Sequence, residues 1–188
     1  MENLNITTQR LFIRNLKMDD LNDFLLYRSN PEVTKYQGFD VMTIEQATQF
    51  IQEQTGRQFG KPGEWVQYGI ENKSTHKIVG DCAVKLHRDD SRIAEIGITI
   101  SHINQKKGFA KEALSGILAF LFNNQNIHRV VEIVDAENIA SINLLKSVGF
   151  KQEGHSIGNI FFKGKWGSEF QYAMLKGEWD IQHQNNAR

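Results

Sequence analysis

The chain has one cysteine, two prolines and no long apolar run in its 188 residues. A single cysteine, Cys82, excludes an internal disulfide and is typical of proteins from a reducing compartment. No stretch approaches the ~20 apolar residues that a membrane-spanning helix needs, and the first residues lack the continuous apolar core of a secretory leader. We therefore expect a cytoplasmic protein that has no membrane partner.

An excess of charge of either sign is also missing. Lys+Arg and Asp+Glu both number 22, so the net charge is +0, and nothing in it predicts a nucleic-acid partner. Positive charge that binds a ligand must therefore be concentrated at one site on the protein. Hydrophobic residues make up 40% of the chain and charged residues 23%, which is the ordinary mixture of a globular protein. At this length we expect a single domain over residues 1–188.

The order of the predicted elements indicates the fold class. Strands joined by polar turns come first, and strand–helix–strand–helix units follow, which favours an α/β (α+β) mixed sheet with helices on both faces. We expect a first helix that opens at Asp19-Asp20 and a second one that begins with a Thr43–Gln46 capping box. The remaining helices are predicted at 108–124 and 138–148, and the strands at 10–14, 65–70, 78–86, 93–100, 130–134 and 170–175.

One junction carries the first functional signal. In the stretch ITISHINQKKGFAKEAL, residues 98–114, a strand leads into a helix through a short loop. The unpaired N–H groups of a first helical turn form an anion site. Gly108 allows the backbone to approach a bulky phosphate, Ala110 keeps the next position small, and three positive charges surround the spot, on Lys106, Lys107 and Lys111. This pattern suits a pyrophosphate, although a solvated turn also fits it. The motifs G-x-x-x-x-G-K-[ST] and G-x-G-x-x-G are absent, so nucleotide hydrolysis and hydride transfer lose support.

A second stretch, DAENIASINLLKSVGF at residues 135–150, follows a strand, opens a helix and ends in Gly-Phe. Together with Gln105-x-x-Gly108-x-Ala110, it resembles the GNAT superfamily of acyl-coenzyme A-dependent N-acyltransferases, whose pyrophosphate signature is Q/R-x-x-G-x-G/A. The N-x-x-S…G-F helix is similar to the branch that contains the ribosomal-protein-alanine N-acetyltransferases. The T-x-R-L opening and the A-E-I-G run follow that branch too, and the resemblance covers about residues 7–180.

The resemblance implies a GNAT-like fold, with a mostly antiparallel central sheet that is splayed between its fourth and fifth strands. Acetyl-CoA would enter the splay as co-substrate, with its pantetheine along the fourth strand and its pyrophosphate on the loop. The amide of Asn138 would reach the pantetheine, although Asn138 could equally be a plain helix N-cap. No metal is expected. The implied cofactor-binding residues are Ile98, Thr99, Ile100, Gln105, Lys106, Lys107, Gly108, Phe109, Ala110, Lys111 and Asn138.

Acetyl transfer from a thioester to an amine needs a neutral amine, a polarised carbonyl and a proton for the departing thiolate. Many members of the superfamily supply this proton from a tyrosine four residues before the Gly-Phe pair, where this chain has Leu145. In the branch that the chain resembles, the serine of N-x-x-S is the proposed donor, which maps to Ser141. A capping or packing hydroxyl is the alternative role for Ser141.

The general base is less defined by the sequence. Glu95 is the leading candidate, because strand alternation places it on the face of Gly97 and Thr99, near the splayed end. A surface or salt-bridged carboxylate is the competing interpretation of Glu95. His102 and Glu169 are the other candidates, and a water-relayed proton path without a single base stays open.

The acceptor side of the site is implied by the resemblance alone. The segment 27–54, with the aromatics Tyr36 and Phe39, and the final hairpin, 157–172, would line the acceptor pocket. A peptide N-terminus, a polyamine and an aminoglycoside are all compatible with the fold. Acidic residues near this pocket do not form the dense run expected for a polycation, so we favour a peptide α-amine or a small monoamine; these acidic residues are Glu32, Asp40 and Glu45.

The sequence therefore predicts an acetyl-CoA-dependent N-acetyltransferase that acts on a primary amine. A non-catalytic acyl-CoA-binding sensor or interaction module is the alternative, because Leu145 occupies the position of the usual tyrosine. A homodimer is compatible with either function.

Overall fold

The computed structural model describes residues 4–184, and these residues build one eight-stranded sheet. The strands lie side by side in the order β1-β2-β3-β4-β5-β6-β8-β7, so only the last two depart from chain order. Their bounds are Ile6–Thr7 for β1, Leu11–Asn15 for β2, Val66–Asn72 for β3, Lys77–Leu86 for β4, Ile93–Ile100 for β5, Arg129–Asp135 for β6, Lys151–Phe162 for β7 and Lys165–Leu175 for β8.

Near its centre, the sheet of the described chain has one pair of neighbouring strands that run parallel. All other neighbouring strands are antiparallel, whereas β5 and β6 run parallel. Their pairing extends from Ile93–Arg129 to Glu95–Val131, although β5 continues to Ile100 and β6 to Asp135. The strands therefore separate, and the predicted splay is confirmed. They are the fifth and sixth strands rather than the fourth and fifth, because the two-residue β1 precedes the predicted first strand.

Six α-helices accompany the sheet in the described residues. The Thr43–Gln46 capping box is confirmed, since the Thr43 hydroxyl accepts from the Gln46 N–H and the Gln46 side chain accepts from the Thr43 N–H. This reciprocal pairing satisfies two donors that a helix start otherwise leaves open. The helices are α1 Leu21–Arg28, α2 Pro31–Thr34, α3 Ile44–Thr55, α4 Phe109–Ala119, α5 Ile139–Val148 and α6 Lys176–Gln184.

Apolar side chains form a core on each face of the sheet. The larger core packs α4 and α5 against the strands and includes Val79. The smaller core packs α1 and α3 against the other face and includes Ile78. Ile78 and Val79 are neighbours in β4, and consecutive strand residues point to opposite faces. The prediction of helices on both faces is therefore confirmed.

A buried ion pair attaches α1 to β4. The Arg28 guanidinium donates to both oxygens of Asp81, at 2.6 and 3.0 Å, and both side chains are almost completely buried. The Tyr27 hydroxyl and the Gln67 amide also donate to this carboxylate, at 2.7 and 2.6 Å. These four hydrogen bonds offset the cost of burying the Asp81 side chain.

Besides β1, the short helix α2 and three further parts of the structure differ from the sequence prediction. β8 begins at Lys165, five residues before the expected Phe170, and it pairs with the long exposed strand β7, of which only the second half was expected as a hairpin. Helix α4 ends at Ala119 and continues as a π-helical turn, Phe120–Asn124. The helix α6 was not predicted. In residues 4–184 no helix combines the length and the apolar character needed to cross a bilayer.

Candidate active site

A cavity of about 210 Å³ occupies the space between the separating strands. β5 lines it with Ile96–Ile98 and β6 with Glu132–Asp135. The start of α5, the loop after α2 and the β7–β8 hairpin complete the wall. The cavity exists because β5 and β6 stop pairing, which leaves an open edge on each strand at the middle of the sheet. In such an interrupted sheet, backbone groups and side chains that strand pairing would otherwise bury are exposed to a ligand.

The loop after β5 has the geometry of an anion site. Lys106 has a φ of 60° and Gly108 a φ of 82°, both in the left-handed region. Gly108 is the N-cap of α4, so the N–H groups of the first turn of this helix lie directly behind the loop. The Gln105 amide donates to the Ile100 carbonyl at 3.2 Å, which ties the loop to the end of β5. The three predicted lysines are exposed around it. An anion would therefore meet both backbone donors and positive charge.

The T-x-R-L segment holds this loop from behind. Glu112, in the first turn of α4, accepts hydrogen bonds from the Thr8 hydroxyl and from the backbone and side chain of Arg10, each at 2.6 Å. Arg10 also donates to the Lys107 carbonyl at 3.0 Å, and its guanidinium lies 4.6 Å from the centre of the Phe109 ring. These contacts fix the start of α4. The sequence indicated T-x-R-L only as a motif shared with the family, and did not reveal that these residues fix the start of α4.

The first turn of α5 brings two predicted residues to the cavity. Asn138 caps the helix, since its side-chain oxygen accepts from the Ser141 N–H at 3.2 Å, and it also lines the cavity. The capping role is therefore real, and the same residue faces the space where a ligand would lie. Ser141 lines the cavity as well. Leu145, one turn further, is fully buried in the core and offers no polar group.

Glu132 of β6 is the most unusual residue in the cavity wall. It is 5% exposed and lies between Val130 and Val134 on the strand face that packs against α4 and α5. The Ser141 hydroxyl donates to its Oε1 at 3.4 Å, and its Oε2 has no hydrogen-bond partner in the described residues. Burial, reinforced by repulsion from Glu95, raises the Glu132 pKa to about 8. Near neutral pH, Glu132 therefore holds its proton.

The predicted base candidates occupy three different places. Glu95 forms an ion pair with Lys85 across the β4–β5 ladder, at 2.5 Å, and it is not among the residues that line the cavity. Strand alternation puts Glu95 on the face of α1 and α3, opposite to Glu132. His102 is exposed in the turn after β5. Glu169 lines the cavity, and its Oε2 accepts from the Asn159 amide at 2.6 Å.

On the acceptor side, the structure places some of the predicted residues in the cavity wall. Tyr36 lines the cavity, whereas Phe39 lies outside the wall, 4.3 Å from the Arg28 guanidinium. The hairpin contributes Ile160 and Phe162. The acidic residues predicted near the pocket are all exposed and outside the wall, namely Glu32, Asp40 and Glu45. The acidic residues that do line it are Glu132, Asp135 and Glu169.

Comparison with known proteins assigns the family. The model of the acetyltransferase (GNAT) domain matches residues 10–151. The N-acetyltransferase p20 of Bacillus licheniformis, itself uncharacterised, is 31% identical over 92% of this chain and 96% of its own length. This chain belongs to the GNAT acetyltransferases. The recognition made from the two sequence motifs is thereby confirmed, and members of this family use acetyl-CoA.

Two further relatives of this GNAT protein have named acceptors. The [ribosomal protein uS5]-alanine N-acetyltransferase of Escherichia coli is 25% identical over 65% of this chain and 63% of its own length. The spermidine N-acetyltransferase of Vibrio cholerae, solved in complex with CoA and spermine, superposes with a TM-score of 0.77. It shares 20% identity and covers 90% of this chain and 98% of its own, so it shows the shared fold. Relatives of the family therefore act on different amines.

Glu132 of this GNAT protein was not among the site residues predicted from the sequence. One signal was available: Glu132 is the only acidic residue between the ends of β6, RVVEIVD, and its neighbours two positions away are both valine. Alternation in a strand puts those three residues on one face, and the valines mark that face as the core. Within residues 4–184 no group of three or more His, Cys, Asp or Glu side chains is arranged to hold a metal ion.

Proposed function

We propose that this protein transfers an acetyl group from acetyl-CoA directly to a primary amine. The observation that carries the proposal is the cavity between β5 and β6, which has Glu132, Asp135 and Glu169 in its wall and is lined by the strand that leads into the loop Gln105–Lys111. A thioester donor bound along β5 and an amine acceptor would meet in this cavity. Family membership supports the reaction type.

The proposed donor site follows the path from β5 to α4. The pyrophosphate of acetyl-CoA would bind the loop Gln105–Lys111, and the pantetheine would run along Ile98–Ile100 towards Asn138. A backbone with two left-handed residues and a helix start has the donors that a pyrophosphate needs. Gly108 matters most, because a Cβ there would lie 3.3 Å from the Arg10 guanidinium and would shield the backbone N–H groups.

The proposed chemistry uses Ser141 as the proton donor to the thiolate. Ser141 lines the cavity, whereas the usual tyrosine position holds the buried Leu145. Glu95 stays a candidate base, with Lys85 as its partner, and Glu169 is the candidate that faces the cavity directly. An amine that needs little help from a base would suit either arrangement.

The proposed acceptor is a peptide α-amine or a small monoamine. In residues 4–184 no lysine or arginine lines the cavity, which suits a substrate that arrives as an ammonium ion. An α-amine has a pKa of about 7.7–8.0, compared with about 10.4 for a lysine-like amine, so it loses its proton more easily. Polyamines and aminoglycosides would need several spaced carboxylates, whereas of the three acidic residues that line the cavity Glu132 is buried and protonated, which leaves Asp135 and Glu169.

A panel of amines tests the proposal. Wild-type protein is mixed with acetyl-CoA and with peptides that have free N-termini, monoamines, polyamines or aminoglycosides, and free thiol is followed. We expect thiol release, with the largest kcat/KM for an α-amine or monoamine. A larger kcat/KM for polyamines or aminoglycosides than for every α-amine would contradict the acceptor preference and leave acetyl transfer intact.

The same panel distinguishes the enzyme from a non-catalytic acyl-CoA sensor. Calorimetry in parallel measures coenzyme A binding to the wild type. Binding without thiol release for any amine would favour the sensor. Ser141→Ala provides the internal check: it should lower kcat by roughly 10²-fold or more and leave the affinity for coenzyme A nearly unchanged, because a proton donor acts in the transition state.

A further inference from the structure

A buried carboxyl group lies directly behind the proposed proton donor. Glu132 is 5% exposed, lines the cavity and contacts the Ser141 hydroxyl, whereas its second oxygen has no partner among residues 4–184. An unpaired buried carboxyl is costly. Val130 and Val134, the neighbours of Glu132 on the same strand face, show that an apolar residue fits this face. The position therefore holds an acid that the fold itself does not need.

The groups around Glu132 decide whether its carboxyl group is protonated or ionised. Glu95 of β5 lies on the opposite face of the sheet, where Lys85 pairs with it, whereas Asp135 and Glu169 line the same cavity as Glu132. Tyr172 of β8 lies opposite Glu132 in the strand ladder, and no lysine or arginine of the described chain lines the cavity. From α5, Asn138 and Ser141 face the same space, both uncharged. Burial is the main cause that raises the Glu132 pKa to about 8, and repulsion from Glu95 adds to it. The resting group is therefore a neutral acid with a proton to give.

A serine cannot protonate a thiolate on its own. A hydroxyl that gives up its proton becomes an alkoxide, which is far more basic than a thiolate, whose pKa is about 8.5. The donation becomes feasible when a second acid restores the hydroxyl in the same step. A protonated carboxyl in contact with the serine oxygen can do this, because its O–H can donate along the line on which the serine O–H now donates to Oε1.

We propose, on the basis of the acetyl-transfer function above, that Glu132 supplies the proton that Ser141 passes to the leaving thiolate. The amine nitrogen forms its bond to the acetyl carbon, and the carbon–sulfur bond breaks. The sulfur takes the proton of the Ser141 hydroxyl, and Ser141 takes the proton of the Glu132 carboxyl. The new amide nitrogen loses its extra proton to water, and water reprotonates Glu132. Glu132 does not touch the reacting atoms, so it is a positioning and relay residue that acts through Ser141.

The test compares Glu132→Gln, Ser141→Ala and the double variant. Glutamine has the shape of the protonated acid and still donates a hydrogen bond, but it cannot pass on a proton. We expect Glu132→Gln to lower kcat by roughly 10²-fold, with KM values and coenzyme A affinity within about twofold of the wild type. The double variant should be no slower than the slower single variant by more than about threefold, because both residues act in one step.

The pH dependence separates a relay from a structural role. Wild-type kcat should fall above about pH 8, where Glu132 loses its proton, and this alkaline fall should be absent in Glu132→Gln. The matched control is Glu153→Gln, the same chemical change at an exposed residue that pairs with Arg129 outside the cavity; it should keep the wild-type kcat and profile.

The outcomes distinguish this inference from the proposed function. A kcat loss below about threefold in Glu132→Gln, or an alkaline fall that persists in it, would overturn the relay while acetyl transfer by the wild type stands. If the wild type binds coenzyme A and acetylates no amine, the proposed function and the relay fall together. A loss of kcat with the pH profile unchanged would assign Glu132 to packing and would also overturn the relay.

Discussion

Replacing Glu132 with glutamine should remove a loss of stability that grows with pH. Glutamine keeps the shape of the side chain and cannot ionise. In the folded protein, burial raises the Glu132 pKa from 4.5 to about 8, whereas in the unfolded chain the carboxyl keeps its ordinary value. Between these values the folded state binds more protons than the unfolded state, so the free energy of unfolding falls as pH rises through this window.

The magnitude follows from the width of that window. Each pH unit between about 4.5 and about 8 lowers the free energy of unfolding by up to about 1.4 kcal/mol, or roughly 4–5 kcal/mol over the window. This is an upper limit, because water that enters the cavity can solvate the carboxylate. A domain of this size shifts its Tm by about 2–4 °C per kcal/mol, so Glu132→Gln should unfold on the order of 10 °C above the wild type at alkaline pH.

Urea and thermal unfolding at about pH 5 and about pH 8.5 measure this effect. The two proteins should differ little at the acidic pH, where Glu132 is protonated, and the variant should become clearly more stable at the alkaline pH. Glu153→Gln is the control: the hydrogen bond from Arg129 lowers the Glu153 pKa, so its stabilisation is lost only below about pH 4.5, and this variant should differ from the wild type by a similar amount at both pH values. An equal difference between the wild type and Glu132→Gln at both pH values would refute the buried neutral acid.

Three further substitutions test the donor site and the fold around it. Gly108→Val should abolish coenzyme A binding, as measured by calorimetry. The control is Gly63→Val, because Gly63 has a φ of 81° and a Cβ there would lie 3.1 Å from an arginine side chain, so the strain is similar but away from the loop. This control should keep its affinity for coenzyme A, and equal losses in both variants would assign the effect to strain. Asn138→Ala should cost about 1 kcal/mol of stability as a lost cap and should also weaken coenzyme A binding, and unchanged affinity would leave only the cap. Arg28→Met should cost about 3–5 kcal/mol in urea unfolding, because Asp81 would stay buried without its cation, and a cost below about 1 kcal/mol would contradict the importance of that pair.

Sequence patterns predicted the helices and strands whose signals are local. The Thr43–Gln46 capping box and the apolar run of β5 depend on neighbouring residues alone, and both elements begin where they were predicted. The two-residue β1 and the first half of β7 carry no such signal. β7 is largely polar and exposed, so it shows no apolar alternation, and only its pairing with β8 makes it a strand. Pairing of this kind is a tertiary property.

Those parts of the candidate site that depend on local backbone conformation could be predicted from the sequence, and those that depend on side chains from separate elements could not. The loop Gln105–Lys111 could be singled out because glycine and lysines at a strand–helix junction are typical of an anion site, and in the structure it has two left-handed residues and leads into a helix start. The acidic wall could not, because Asp135 and Glu169 meet only through the antiparallel pairing of β6 and β8. Glu132 could be noticed in the sequence as an acidic residue in an apolar strand, but its contact with Ser141 depends on how α5 packs.

Transfer of a labelled acetyl group tests the central claim most directly. Acetyl-CoA that carries an isotope in its acetyl carbon is mixed with the wild-type protein and an N-terminal peptide or monoamine, and the acceptor and the released coenzyme A are measured together by mass spectrometry. We expect one labelled acetyl group on the amine for each free thiol formed, with the rate lost in Gly108→Val and retained in Gly63→Val. Saturable binding of acetyl-CoA with no label on any amine would contradict the account.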